Sequence, residues 1–282
     1  MGLTIVLATR GRPALLCETI KRTLPNIELP DTRLVVAVDD DDVATIAALA
    51  EVPPPVLVSV KPREDSIGEK WNRGYTDHSD DLYMIMADYT AVATPGFDRK
   101  MIDAAALFPD GIGVVFGRMA NMSFASTYGV THGLCDKLGW MFPPFFPFWF
   151  VDHWLDDIAK LIDRVAFADV HLVWPEKKIA THEYREVGFW ATFFDGMRLM
   201  RRRQARAIID DPGFIEPEWR KELLRRHYPL IEYRSQAINN MVRSQISGSA
   251  GGGERYTRLR EQAVRMLREE WPGMERELRD AA

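Results

Sequence analysis

Short apolar runs alternate with stretches whose apolar residues recur every three or four positions. Thr4–Ala8, Leu34–Val38 and Val56–Val60 have strand length and are rich in β-branched residues. Between them, Leu16, Ile20 and Leu24 lie four apart, and Val43, Ile46, Ala47 and Ala50 form a second helical stripe. Pro13 suits a first helical turn, Pro25 and Pro30 close the first helix, and Pro53 to Pro55 close the second. Ser66 is placed to cap a short helix that Gly74 would end. Leu82–Ala87 is then a continuous apolar run, as expected of a strand covered on both faces. Pro95-Gly96 opens a helix with Met101, Ile102, Ala105 and Leu107, and Gly113–Phe116 is a fifth strand. Arg118 to Gly139 shows little periodicity and reads as a mostly irregular excursion. Asp152 is placed to cap a helix carrying Leu155, Ile158, Ala159 and Ile162, and a strand-like piece runs from Ala166 to Trp174.

Alternating strands and helices predict an α/β fold, a mostly parallel sheet with flanking helices. The pattern changes near Glu186. Phe189, Phe193, Met197 and Met200 suggest an amphipathic helix continuing through Arg201–Arg203, and more helical sequence runs from Trp219 to Ile246. Residues 247–253 read as a Gly-rich flexible linker before a charged terminal helix from Glu254 to about Glu270. The expected division is a sheet domain over 1–185 and a helical C-terminal extension over 186–282.

Right-handed crossovers would put the loop after each parallel strand on one edge of the sheet, where open α/β sheets bind ligands. Three strand ends carry chemistry: Thr9-Arg10-Gly11-Arg12, the run Asp39 to Asp42, and Asp88. Asp39 and Asp40 sit at the strand end itself and read as acceptors for a base N–H or a ribose hydroxyl. Asp41 and Asp42 read equally as acids favouring a helix N-terminus. Asp88 ends a strongly apolar strand and reads as an anchor for Mg²⁺ or Mn²⁺ between itself and a diphosphate. Arg10, Arg12, Lys61, Arg63, Lys70 and Arg73 fall in segments assigned to the same edge. The basic stretch Arg198 to Arg206 reads as a solvated helix face.

A net charge of −5 and a pI near 5.8 disfavour non-specific nucleic-acid binding. Two cysteines, Cys17 and Cys135, both in helical segments, fit small core residues in a reduced, cytoplasmic compartment. No basic leader precedes Leu3–Ala8, and no run approaches the roughly 18 apolar residues of a bilayer span. The aromatic–proline segment Trp140–Val151 leaves a peripheral membrane contact open. It reads equally as an aromatic wall of a binding site or as a core or interface plug. Neither a dinucleotide-binding glycine fingerprint, a P-loop, a zinc spacing nor a nucleophile elbow occurs. His171 and His182 are candidates for a further metal ligand.

In order and spacing, these segments resemble the family 2-like glycosyltransferases of the GT-A fold. Thr9-Arg10-Gly11-Arg12-Pro13 resembles the family's opening strand and turn, and Asp39-Asp40 its acids after the second strand. Gly68-Glu-Lys-Trp-Asn72-Arg-Gly74 resembles its G-x-x-x-N-x-G segment, with Lys70 where arginine is usual. Asp88-Tyr89-Thr90 stands at the metal-binding Asp-x-Asp, with Tyr89 and Thr90 in place of further acids. Val151-Asp152 stands at the Glu-Asp motif, with valine for glutamate.

The resemblance covers about residues 3 to 185. It implies a nucleotide-diphosphate sugar donor bound by Thr9, Arg10, Arg12, Asp39, Asp40, Lys70, Asn72 and Asp88. It further implies a divalent cation, Mn or Mg, on Asp88, and an inverting transfer to an acceptor hydroxyl with Asp152 as general base. The C-terminal helices are candidates to cover the site or to form a homo-oligomer. Two alternatives stay open: a nucleotidyltransferase acting on a sugar phosphate, and a degenerate, non-catalytic sugar-nucleotide-binding protein.

Overall fold

A computed structural model describes residues 1–52, 55–118, 128–173, 187–216 and 256–270. Eight strands form one sheet in the order β3-β2-β1-β4-β7-β6-β8-β5. β1 (Leu3–Ala8), β2 (Arg33–Asp39), β3 (Val56–Lys61) and β4 (Leu82–Ala87) are mutually parallel, with β1 between β2 and β4. The sheet then turns mixed. β7 (Tyr128–Thr131) runs antiparallel to both β4 and β6 (Val114–Arg118). β8 (Val165–Val173) runs parallel to β6, and β5 (Ala91–Val92) pairs antiparallel to β8.

β1 is buried along its whole length, which explains its lack of alternation. Leu3, Ile5 and Leu7 share a core with Leu16 and Ile20 of α1 (Pro13–Thr23) and with Phe97 and Met101 of α4 (Phe97–Ala105). α2 (Val43–Leu49) follows β2, and α3 (Ile67–Asp77) packs on β1. Ser66 caps α3 as expected, accepting from Gly68 N at 3.0 Å while Glu69 reaches back to Ser66 N at 3.3 Å. Gly74 does not end this helix, which continues to Asp77. A Cβ at Gly74 would lie 2.3 Å from Val6 Cγ2, so the glycine serves the close approach of helix to strand.

The stretch expected to be irregular instead holds β7 and α5 (His132–Leu138). Four residues, one of them Gly129, are too few to show a period. The chain divides into two compact units, 1–142 with 164–178, and 143–163 with 179–282. α6 (Val151–Leu161), which the sequence places with the sheet, therefore belongs to the second unit.

In that unit α6 packs on α8 (Arg198–Ile209), and α7 (Val187–Gly196) packs on α9 (Thr257–Glu270). The single long helix expected across 189–203 is two helices, with the break at Gly196-Met197. Most of the aromatic segment lies in this unit as core. Phe145 meets Trp154 at 4.8 Å, Phe146 meets Phe193 at 5.1 Å, and Phe150 stacks on Phe194 at 5.2 Å. Arg201 is buried, not solvated. Its Nε lies 3.0 Å from Asp157 Oδ2, and its guanidinium sits 3.8 Å from the centroid of the Phe194 ring. The expected helix over 219–246 and the 247–253 linker lie outside the described residues. No helix among the described residues is long and apolar enough to cross a membrane.

Candidate functional site

The carboxyl ends of β1, β2 and β4 bring together the polar residues that the sequence singled out there. Each arrives by strand register: Ala8 pairs with Ala37 on one side and Ala87 on the other. Thr9, Asp39 and Asp88 therefore leave adjacent strand ends at nearly the same level. Asp39 and Asp88 are each only 1% exposed, so both carboxylates are compensated by neighbours.

Asp39 is the more heavily paired. Lys70 Nζ contacts its Oδ1, Arg10 Nη1 donates to its Oδ2 at 2.8 Å, and Arg73 Nη2 lies 3.8 Å away. Lys70 also donates to Thr9 O at 3.2 Å. Burial pushes the Lys70 ammonium pKa down, although Asp39 pulls the other way. Arg10 forks onto Asp41 through Nη1 at 2.5 Å and Nη2 at 2.8 Å, and its bonds to Asp41 and Asp39 raise its pKa despite partial desolvation.

Arg73, one of the cations expected at this edge, and Glu64, which was not expected there, close the network. Arg73 donates to Val38 O at 2.9 Å, Ser59 O at 2.8 Å and Glu64 Oε1 at 2.8 Å, tying the ends of β2 and β3 together. Their spacing carries a usable signal, since Lys70 and Arg73 are three apart and share a helix face.

Asp88 is held differently. Thr9 Oγ1 donates to its Oδ2 at 2.9 Å, and Arg12 Nε lies 3.1 Å from the same oxygen. Its other oxygen, Oδ1, is buried without a hydrogen-bond partner. Burial drives the Asp88 carboxyl pKa up, against the pull of Arg12 and Thr9. Arg12 also lies over the Tyr89 ring, 5.6 Å from its centroid. The turn that delivers Arg12 depends on Gly11, whose φ of +67° suits glycine. Gly11 N donates to Asp42 Oδ2 at 2.7 Å, so Asp42 braces this turn as well as capping α2.

Asn72 is turned to another task. Its Oδ1 accepts from Met141 N at 3.0 Å and Phe142 N at 2.7 Å, and its Nδ2 donates to Phe142 O at 2.9 Å. The whole amide clamps that backbone, so Asn72 positions a loop. Asp40 is exposed beside the network, its backbone N–H bonded to Lys61 O at 2.9 Å. The half-exposed His171 ring faces Asp169 at 3.5 Å, and His182 lies outside the described residues. Among the described residues no three His, Cys, Asp or Glu side chains form a group suited to hold a metal.

Asp152 belongs to the second unit. It lies inside the first turn of α6, where Phe150, at φ 71°, is the N-cap. Asp152 Oδ1 accepts from His153 N at 2.9 Å and meets His153 Nδ1 at 2.8 Å. Burial would raise this carboxyl, but attraction to His153 and its hydrogen bonds outweigh that and hold it below the usual aspartate range.

One parallel-strand end rich in acid, a second bearing a lone aspartate, a third bearing Thr-Arg-Gly-Arg, and a mixed sheet continuation make a recognisable architecture. The chain has the GT-A fold. It is similar to the mannosyltransferase PcManGT from Pyrobaculum calidifontis, solved with GDP-Man and Mn²⁺. Identity there is 14%, the TM-score is 0.51, and the match covers 96% of this chain and 87% of that one. It is similar to S. aureus TarS residues 1–349 at 12% identity, with a TM-score of 0.55 and coverage of 94% and 81%. The glucosyl-3-phosphoglycerate synthase from Mycobacterium tuberculosis, solved with Mn²⁺, UDP and glucosyl-3-phosphoglycerate, matches at 14% identity. Its TM-score is 0.52, with coverage of 71% and 79%. No protein-family model matches the sequence, and no curated protein matches it either.

Proposed function

We propose that this GT-A protein is a glycosyltransferase that takes a sugar from a nucleotide-diphosphate donor and passes it to an acceptor hydroxyl with inversion. The observation that carries the reading is the charged cluster at the ends of β1, β2 and β4, built on the fold of enzymes solved with GDP-Man or UDP. Arg10, Arg12 and Lys70 supply cationic donors there, and the Asp88 Oδ1 lacks a hydrogen-bond partner and suits a donor hydroxyl.

Asp152 is the proposed base. It takes the proton from the acceptor hydroxyl as that oxygen attacks the anomeric carbon from the face opposite the leaving diphosphate. Its lowered pKa keeps it ionised at neutral pH. The sign follows: a depressed carboxyl pKa puts the acidic fall in rate below the usual aspartate range, with the rate level above it.

The relatives PcManGT and the glucosyl-3-phosphoglycerate synthase were solved with Mn²⁺. In this chain the expected ion on Asp88 would find one carboxylate, with Oδ2 already facing Arg12, and no second acid at Tyr89 or Thr90. Among the described residues no other acid or histidine joins Asp88 in a metal-holding group, so a divalent ion there would draw its remaining ligands from water and the diphosphate.

The test is release of nucleoside diphosphate from a panel of nucleotide sugars. Asp152→Asn is expected to lower transfer by about 10²–10⁴-fold with nucleotide affinity unchanged. Unchanged turnover in that variant removes Asp152 from the mechanism. Preferential binding of a nucleoside triphosphate with a sugar phosphate would instead identify a nucleotidyltransferase.

A further inference from the structure

We infer that Arg12 supplies the positive charge at Asp88, so that the donor diphosphate binds here without a divalent cation. The inference rests on the glycosyltransferase reading and concerns how that same site handles charge. Formal charge is the first argument. Two aspartates around a divalent ion sum to zero, and so do one aspartate and one guanidinium. The sequence carries no second acid at Tyr89 or Thr90, and the structure sets a cation against Asp88.

The second argument is placement. Arg12 is fixed at both ends of its reach: its Nε lies 3.1 Å from Asp88 Oδ2, and its guanidinium lies over Tyr89, the residue that follows Asp88. The aromatic face replaces a repulsive like charge with an attractive surface for a cation. The Gly11 turn, braced by Asp42, sets where the side chain leaves the backbone.

The third argument is availability. Lys70 and Arg73 are buried and bonded to Asp39, Glu64 and main-chain carbonyls, and Arg10 is forked onto Asp41. The Arg10 and Arg12 side chains are equally exposed at 36%, but Arg10 commits both Nη atoms to Asp39 and Asp41, whereas Arg12 approaches Asp88 through its Nε edge. A guanidinium has five N–H donors in a planar fork matched to phosphate oxygens, so Arg12 can hold Asp88 and a diphosphate together. The diphosphate then leaves against a fixed guanidinium charge, which needs no reorganisation during bond breaking.

Calorimetry on the full-length protein with ADP, CDP, GDP, UDP and dTDP, in MnCl₂ and separately in EDTA, tests this. At least one nucleotide is expected to bind the wild type with a Kd in EDTA within about threefold of that in Mn²⁺. Arg12→Ala should weaken that binding in EDTA by about 10- to 100-fold, and Arg12→Lys by less, since it keeps the charge but loses the fork. Thermal melts of both variants establish that they are folded. Binding that appears only with Mn²⁺ overturns the inference and leaves the glycosyltransferase reading standing. An unchanged Kd in a folded Arg12→Ala overturns it equally. No binding of any nucleotide in either buffer overturns both.

Discussion

Asp88 and Asp39 leave neighbouring strand ends with equal burial, yet they meet opposite electrostatic conditions. Asp39 is surrounded by Lys70, Arg10 and Arg73, whereas Asp88 has Thr9 and Arg12 on one oxygen and no hydrogen-bond partner on the other. Burial raises the Asp88 pKa, so the folded chain holds a proton there more tightly than the unfolded chain does. Stability from that group therefore declines as pH rises from the ordinary aspartate value through the raised one. Above that raised value the buried carboxylate weakens the fold, as expected of a group retained for binding. Asp88→Asn should melt at or above the wild-type temperature, keep its nucleoside-diphosphate affinity in EDTA because Arg12 remains, and bind the nucleotide sugar more weakly. A fall of more than about 4 °C would instead make Asp88 a structural strut. At this scale the sequence was informative wherever the strand-end rule applied, as at Thr9, Arg10, Asp39 and Asp88. It did not reveal the bonds of Asn72 to the backbone of Met141 and Phe142, because a side-chain amide reads the same whether it faces a ligand or a main chain.

Among the elements, α8 departs most from its sequence pattern. A run with five arginines between Arg198 and Arg206 looks solvated on every face, yet Arg201 turns inward to Asp157, Phe194 O and two aromatic rings. Removing one member of a buried ion pair costs about 3–5 kcal/mol. Arg201→Ala should therefore lower the denaturant midpoint markedly, whereas Arg202→Ala, on a less buried neighbour, should leave it almost unchanged. The four parallel strands were legible because each is a mostly apolar run, broken only by Thr4 in β1 and Ser59 in β3, and bounded by turn residues. β7 and β5 were not, being four and two residues long and defined by their partners across the sheet. The break between α7 and α8 was hidden because Phe189, Phe193, Met197 and Met200 keep a helical spacing straight across it.

For the whole molecule, the division into two units is not a division of the chain into two halves. Pro143–Asp163 interrupts the sheet unit, and the chain returns to it only with Arg164 and β8. β8 fills the place between β6 and β5, and β5 pairs with β8. A chain ending at Asp163 should therefore fail to show a cooperative thermal transition by circular dichroism, although it contains every residue of the Asp39–Asp88 cluster. A stable, nucleotide-binding fragment of that length would contradict this.

That connectivity has a consequence for biosynthesis. As the chain leaves the ribosome, β1 to β4 can begin pairing early. β6 and β5, however, wait with bare edges until Val165–Val173 emerges, after the aromatic segment has already appeared. Val114 must then find Val165 across a long intervening loop, a contact that closes slowly. The exposed edges and the aromatic cluster are present together during that interval, when nascent chains are most prone to associate wrongly. Slowed translation once Val173 has cleared the ribosome, or a holding chaperone, should raise the soluble yield of this protein.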